Sequence, residues 1–188
     1  MSKVITFSRT FPAYHPRKGE PTYFVEQTLN SLFVSYKNHS YLEKLFELNR
    51  KNISIGKLTQ LDLSKFQDSL IFMDNHKIHT IRGGCRFSSK DFFSPRVWFK
   101  TPYNSPQIIF WHDVEVKKTW DFEMDLAGIY SVNGKYLLSE ECDDTEILLA
   151  KNDGFKDPSD MFNWFMPNYD KPKEFSGQII CWNENINY

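Results

Sequence analysis

The chain has 188 residues, a formal net charge of −1, and 16 % aromatic residues, among them 17 Phe, 9 Tyr and 5 Trp. That length suits one domain, or one domain with a large insertion, and buries a core without metal or disulfide staples. Near-neutral charge excludes a protein that coats nucleic acid through many phosphate contacts. The absence of any apolar run near ~18 residues excludes a membrane-spanning helix.

Three cysteines, Cys85, Cys142 and Cys181, are odd in number and widely spaced. They make neither a disulfide framework nor a zinc motif, so a reducing, cytoplasmic setting is expected. The first residues lack the apolar stretch of a signal peptide.

In chain order, residues 4–8 are β-rich and read as a first strand. Residues 10–21 carry three prolines and form a loop, with Pro21 opening a helix over 22–36. Phe24, Val25, Leu29, Leu32 and Phe33 give that helix its 3.6-residue period. A second helix fits 41–49, and Ser64 caps a third that runs to Met73. Residues 36–75 read as an insertion. Strands are expected at 77–82, at 96–99, and over 107–120 with a bend near His112-Asp113. Asn133-Gly134, between apolar runs at 129–132 and 135–138, is a hairpin turn, because both positions want positive φ. A helix over 144–151 ends at Gly154, a short one runs from Pro158 to Phe165, and 175–182 is a last strand. The expected fold is α+β: a single domain over 1–188, with a small, mostly antiparallel sheet closed into a barrel and helices around it.

Charge is segregated. Residues 76–100 hold six cations against Asp91 alone, and residues 138–160 hold eight acids against Lys151 and Lys156. Such a dipolar molecule can orient an anionic partner, although two solvated faces are the plain alternative.

The densest chemistry lies in His76-Lys77-Ile78-His79-Thr80-Ile81-Arg82, which Gly83-Gly84 terminates. An ammonium, a hydroxyl and a guanidinium sit there beside a turn, where a sheet holds the backbone while side chains face open space. Lys77 and Thr80 are three apart, so a regular strand would point them to opposite faces. They converge only if Lys77 sits on the turn before the strand. His76 and His79 likewise face opposite ways and have no further ligand cluster, so no metal or other cofactor is expected. Trp98, Phe99, Tyr103 and Trp111 read as core before they read as a stacking platform.

The pattern Lys77-x-x-Thr80-x-Arg82 resembles the signature of ASCH domains, which belong to the PUA-like superfamily. A second resemblance lies in the helix that ends at Asp153-Gly154 and the helix from Pro158 to Phe165, with the last strand closing the barrel. Ser94-Pro95-Arg96-Val97-Trp98 and Pro102-Tyr103 are similar to stretches in uncharacterised bacterial and phage proteins. The ASCH resemblance implies binding of RNA or a modified nucleobase in a basic cleft. Lys77, Arg82, Arg86 and Arg96 would meet phosphate or carbonyl oxygens there, and Trp98 would stack on a base. Some ASCH proteins hydrolyse the amide of N4-acetylcytidine. By position this implies Lys77, Thr80 and Asp153 as a catalytic set, with Asp153 where the family enzyme has glutamate. A threonine hydroxyl needs a base, and a lysine whose charge is disfavoured can serve as one. A third reading is a protein-interaction module that uses the 36–75 insertion and the acidic run 140–160.

Overall fold

A computed structural model describes residues 2–137, 143–166 and 174–188. In chain order its elements are β1 (Lys3–Phe7), α1 (Phe24–Ser31), α2 (His39–Leu48), α3 (Arg50–Ser54), α4 (Gln60–Ser69), β2 (His79–Gly83), β3 (Phe92–Trp98), β4 (Gln107–Ile109), β5 (Val114–Glu115), β6 (Lys118–Met124), β7 (Tyr130–Val132), β8 (Lys135–Leu137), α5 (Asp143–Asn152), α6 (Pro158–Phe165) and β9 (Phe175–Cys181). The fold is α+β, and the chain forms two compact units interleaved in sequence. One comprises Met1–Arg9, Tyr23–His76 and Phe92–Val114, and the other Thr10–Thr22, Lys77–Asp91 and Glu115–Tyr188. No described helix is long and apolar enough to cross a membrane. Glu140, Glu141 and Cys142 of the acidic run, and Leu138 of the second hairpin strand, lie outside the described residues.

In the first unit β1 runs parallel to β3, from Lys3 opposite Phe93 to Phe7 opposite Val97, and β4 runs antiparallel on the other side of β3. The two-residue β5 also pairs with β3. Alternation buries Ile5 and Phe7 of β1 with Phe93 and Val97 of β3, as a one-sided core strand requires. β3 runs through Pro95, where a start at Arg96 is expected from the sequence. Proline removes a donor, yet its carbonyl still accepts from Phe110 N (3.2 Å).

Helix boundaries also differ from expectation, with α1 ending at Ser31 rather than Tyr36 and α4 at Ser69 rather than Met73. α1 starts at Phe24 rather than after Pro21, because Tyr23 is left-handed (φ 59°) and breaks the first turn. α4 is capped by Thr59 rather than Ser64. The Thr59 hydroxyl accepts from Asp62 N while Asp62 accepts from Thr59 N, a reciprocal capping box that secures the first turn.

In the second unit five antiparallel strands lie in the order β2-β9-β6-β7-β8. Asn133 (φ 50°) and Gly134 (φ 74°) make the β7–β8 turn as the sequence indicates. The expected 107–120 strand is divided into β4, β5 and the start of β6, with the bend at His112-Asp113 between β4 and β5. The expected closure into a barrel is corrected: among the described residues the sheet is open, with β2 and β8 at its edges. The outer edge of β2 meets a side chain instead of a strand, since Ile81 N donates to Asp153 Oδ1 (3.3 Å). β9 is an interior strand between β2 and β6, and Gly177 through Cys181 are all buried. Phe122 of β6, Leu149 of α5 and Met161 of α6 are fully buried with them.

Candidate functional site

The site begins with the way α5 ends. Gly154 takes a left-handed conformation (φ 88°). Its N–H donates to the Lys151 carbonyl (2.9 Å), and Phe155 N donates to the Ala150 carbonyl (2.9 Å). This pair of bonds is the Schellman closure that glycine favours. It leaves Asp153 as the junction residue, with its carboxylate at the negative end of the helix dipole, where a cation is needed.

Lys77 supplies the cation. Its Nζ donates to both the carboxylate Oδ1 and the main-chain oxygen of Asp153. Ile78 N donates to the Asn152 carbonyl (3.0 Å), so the segment ahead of β2 docks on the end of α5. Lys77 therefore precedes the strand, which starts at His79 rather than at Lys77 as expected from the sequence. Both side chains are 2 % exposed. The Phe155 ring centre lies 6.0 Å from the ammonium.

Burial sets the electrostatics. Desolvation pushes the Lys77 ammonium down to about 8, against the attraction of Asp153, and the Arg82 charge lowers it further. Desolvation raises the Asp153 carboxyl, while Lys77, Arg82 and the Ile81 N–H pull it back down. Arg82, half-buried on β2, is lowered by burial and held up by Asp153. The three groups form one coupled cluster in which charge is costly and mutual attraction keeps it.

His79 is fully buried on β2 and is kept neutral by that burial, with the Lys77 charge acting in the same direction. The Tyr188 hydroxyl accepts from Asn152 Nδ2 (2.8 Å) and shares a hydrogen bond with His79 Nδ1 (2.8 Å) whose direction follows the histidine tautomer. The Nε2 of His79 has no hydrogen-bond partner among the described residues. Neither Tyr188 nor Asn152 belongs to any local motif, and no sequence signal points to them.

The structure thus brings Lys77, Asp153 and Arg82 together. Thr80 is buried on the same strand, opposite Ile180, and no hydrogen bond joins its hydroxyl to Lys77 or Asp153 among the described residues. Arg86 is exposed in the same unit. Arg96 and Trp98 lie on β3 in the other unit. Arg96 Nε there donates to Ser94 Oγ (3.3 Å), and Trp98 packs against Tyr103 with ring centres 5.4 Å apart. Among the described residues no group of three or more His, Cys, Asp or Glu is placed to hold a metal ion. No family model matches the sequence, and no curated protein or solved structure matches it.

Proposed function

We propose that the chain is an ASCH-like protein that binds RNA or a modified nucleobase against segment 77–82, an open-sheet variant of the PUA-like arrangement. The observation that carries this reading is the meeting of Lys77 and Asp153, 76 positions apart, at the outer edge of β2. Among the described residues no strand covers that edge of β2, the strand that bears Thr80 and Arg82. Arg82 and the exposed Arg86 supply the fixed cations for phosphate or carbonyl oxygens. The buried Lys77–Asp153 pair holds the strand edge in place beneath them.

The test is binding of single-stranded RNA at several salt concentrations, with Arg82→Ala and Arg86→Ala. Affinity is expected to fall with salt and to drop about tenfold in Arg82→Ala, the usual loss for one charge-assisted contact. Arg86→Ala, at an exposed position, serves even if Arg82 proves necessary for folding. Binding indifferent to salt and to both substitutions would reject the reading.

One observation favours a second reading, amide hydrolysis of an N4-acylcytidine-like nucleoside. Lys77 is lowered to about 8, which brings it within reach of proton acceptance near neutral pH. That reading needs substrate binding to bring the Thr80 hydroxyl within reach of Lys77; the hydroxyl would then attack the acyl carbonyl, its proton passing to Lys77 and on to the departing amine, before water cleaves the ester.

A further inference from the structure

The first unit contains a depression of about 450 Å³ that the reading above does not use. Its lining includes Phe33, Tyr41, Trp111, Ser40, Glu43 and Glu47, all within that unit. The volume falls in the range of small-molecule sites.

Phe33 is the most telling member. It ends α1 in the left-handed region, φ 56°. Phe33 N donates to Asn30 O (2.9 Å) and Val34 N to Leu29 O (3.0 Å), a closure in which glycine is the preferred residue. A bulky Cβ there costs stability. Burial does not compensate, because Phe33 is 93 % exposed. A ring that strains the backbone while standing 93 % exposed is explained by something it packs on outside.

The other rings are fixed. Tyr41 is buried, its hydroxyl donates to Phe110 O (2.9 Å), and its ring stacks on Trp111 with centres 6.3 Å apart and planes at 27°. The buried Tyr41 thus fixes Trp111, whose ring is partly exposed, and a rigid aromatic face of that kind suits a flat ligand. The polar wall is one face of α2, where Ser40, Glu43 and Glu47 follow at helical spacing. Glu43 and Glu47 are acceptors only, and against the single cation Lys44, which also lines the depression, they leave the wall net negative, which disfavours an anion. Lys44 is drawn to Glu47 (3.0 Å), and His39 lies 3.4 Å from Glu43. A carboxylate beside aromatic rings recognises a ring that offers N–H donors, as glutamate does the exocyclic amine of cytosine.

We infer that this groove binds a planar aromatic heterocycle bearing an amino group and no phosphate, of the class of an amino-substituted nucleobase or nucleoside. The site shares no residue with the Lys77–Asp153 cluster, so it does not depend on the function proposed above.

The experiment is calorimetric titration with cytidine and adenosine, with uridine and cytidine 5′-monophosphate as controls, on wild type, Phe33→Gly, Glu43→Gln and Arg82→Ala. At least one of the two amino-bearing nucleosides is expected to bind, and both controls to bind about tenfold more weakly or not at all. Phe33→Gly is expected to weaken binding about tenfold while melting at or above the wild-type temperature, a combination that a structural ring would not produce. Glu43→Gln is expected to narrow the preference for cytidine over uridine. No binding by either nucleoside, equal or tighter binding of the monophosphate, or unchanged affinity in Phe33→Gly would each overturn the inference. Binding lost in Arg82→Ala but intact in Phe33→Gly would overturn it while leaving the proposed function standing, and the reverse pattern supports it.

Discussion

Asp153→Ala is expected to cost the fold about 3–5 kcal/mol, the usual penalty for stranding one member of a buried ion pair. Three consequences fall on one substitution. Lys77, 2 % exposed, loses its counter-charge while its bond to the main-chain oxygen of residue 153 remains. The Ile81 N–H at the outer edge of β2 loses its acceptor. The end of α5 loses half of the clasp that ties it to the segment ahead of β2. The double variant Lys77→Met/Asp153→Leu should recover most of the loss, since apolar residues of similar volume commonly replace a buried pair at little cost. Urea denaturation of wild type, both single variants and the double variant measures this as a cycle. A loss below about 1 kcal/mol in Asp153→Ala would mean that water reaches the pair and that it behaves as a surface bridge.

Gly177→Ala is expected to be comparably damaging, at about 3 kcal/mol or more, because the clash is with backbone and cannot be relieved by a side-chain rotation. β9 is flanked by β2 and β6, so neither side can give way freely. A Cβ on Gly177 would stand 2.3 Å from the Arg82 carbonyl oxygen and 2.9 Å from its carbonyl carbon. The strand pushed aside is the one that carries Arg82, so RNA affinity should fall together with stability. Gly83, paired with Gly177 across the ladder, provides the control. A Cβ there meets nothing closer than a Phe175 ring atom at 3.9 Å, and Gly83→Ala should be nearly silent. Equal effects of the two substitutions, measured by the same denaturation, would refute the close approach.

The parts of this structure that local chemistry dictates were legible in the sequence. Asn133-Gly134 announced its hairpin because few residues accept positive φ, and Gly154 announced the end of α5 for the same reason. A strand over 77–82 was legible as well, although it starts at His79, which leaves Lys77 on the segment ahead of it. The cap of α4 is ambiguous in the sequence, because Ser64-x-x-Gln67 and Thr59-x-x-Asp62 both have the capping-box spacing, and the structure uses the second.

Strand pairing was not legible. β2 pairs with β9 across most of the chain, and no residue of β2 states whether its other edge will meet a strand or a carboxylate. That single ambiguity separates the open sheet from the expected barrel. Asp153 was reached only through a resemblance, because an acid before a glycine is an ordinary helix ending. The Tyr188–His79–Asn152 chain was beyond reach, since a tyrosine distant from β2 in sequence carries no local signal.

The Lys77 ammonium can be followed directly by heteronuclear NMR of its side chain as pH is raised. Burial sets its midpoint near 8, against 10.5 for an ordinary lysine. Between those values the unfolded chain binds the proton that the folded chain has released, so this group makes stability rise with pH from about 8 to 10.5. Cys181, pushed up to about 11 by burial from 9.0, works in the opposite sense above pH 9, so the rise is read as the difference between wild type and Lys77→Met. A midpoint near 8 that moves away in Asp153→Asn places the pair in a dry, charge-coupled site beneath the β2 edge. A midpoint at 10.5 or above, unmoved by that substitution, would show Lys77 to be a solvated surface lysine and would remove the foundation of the site.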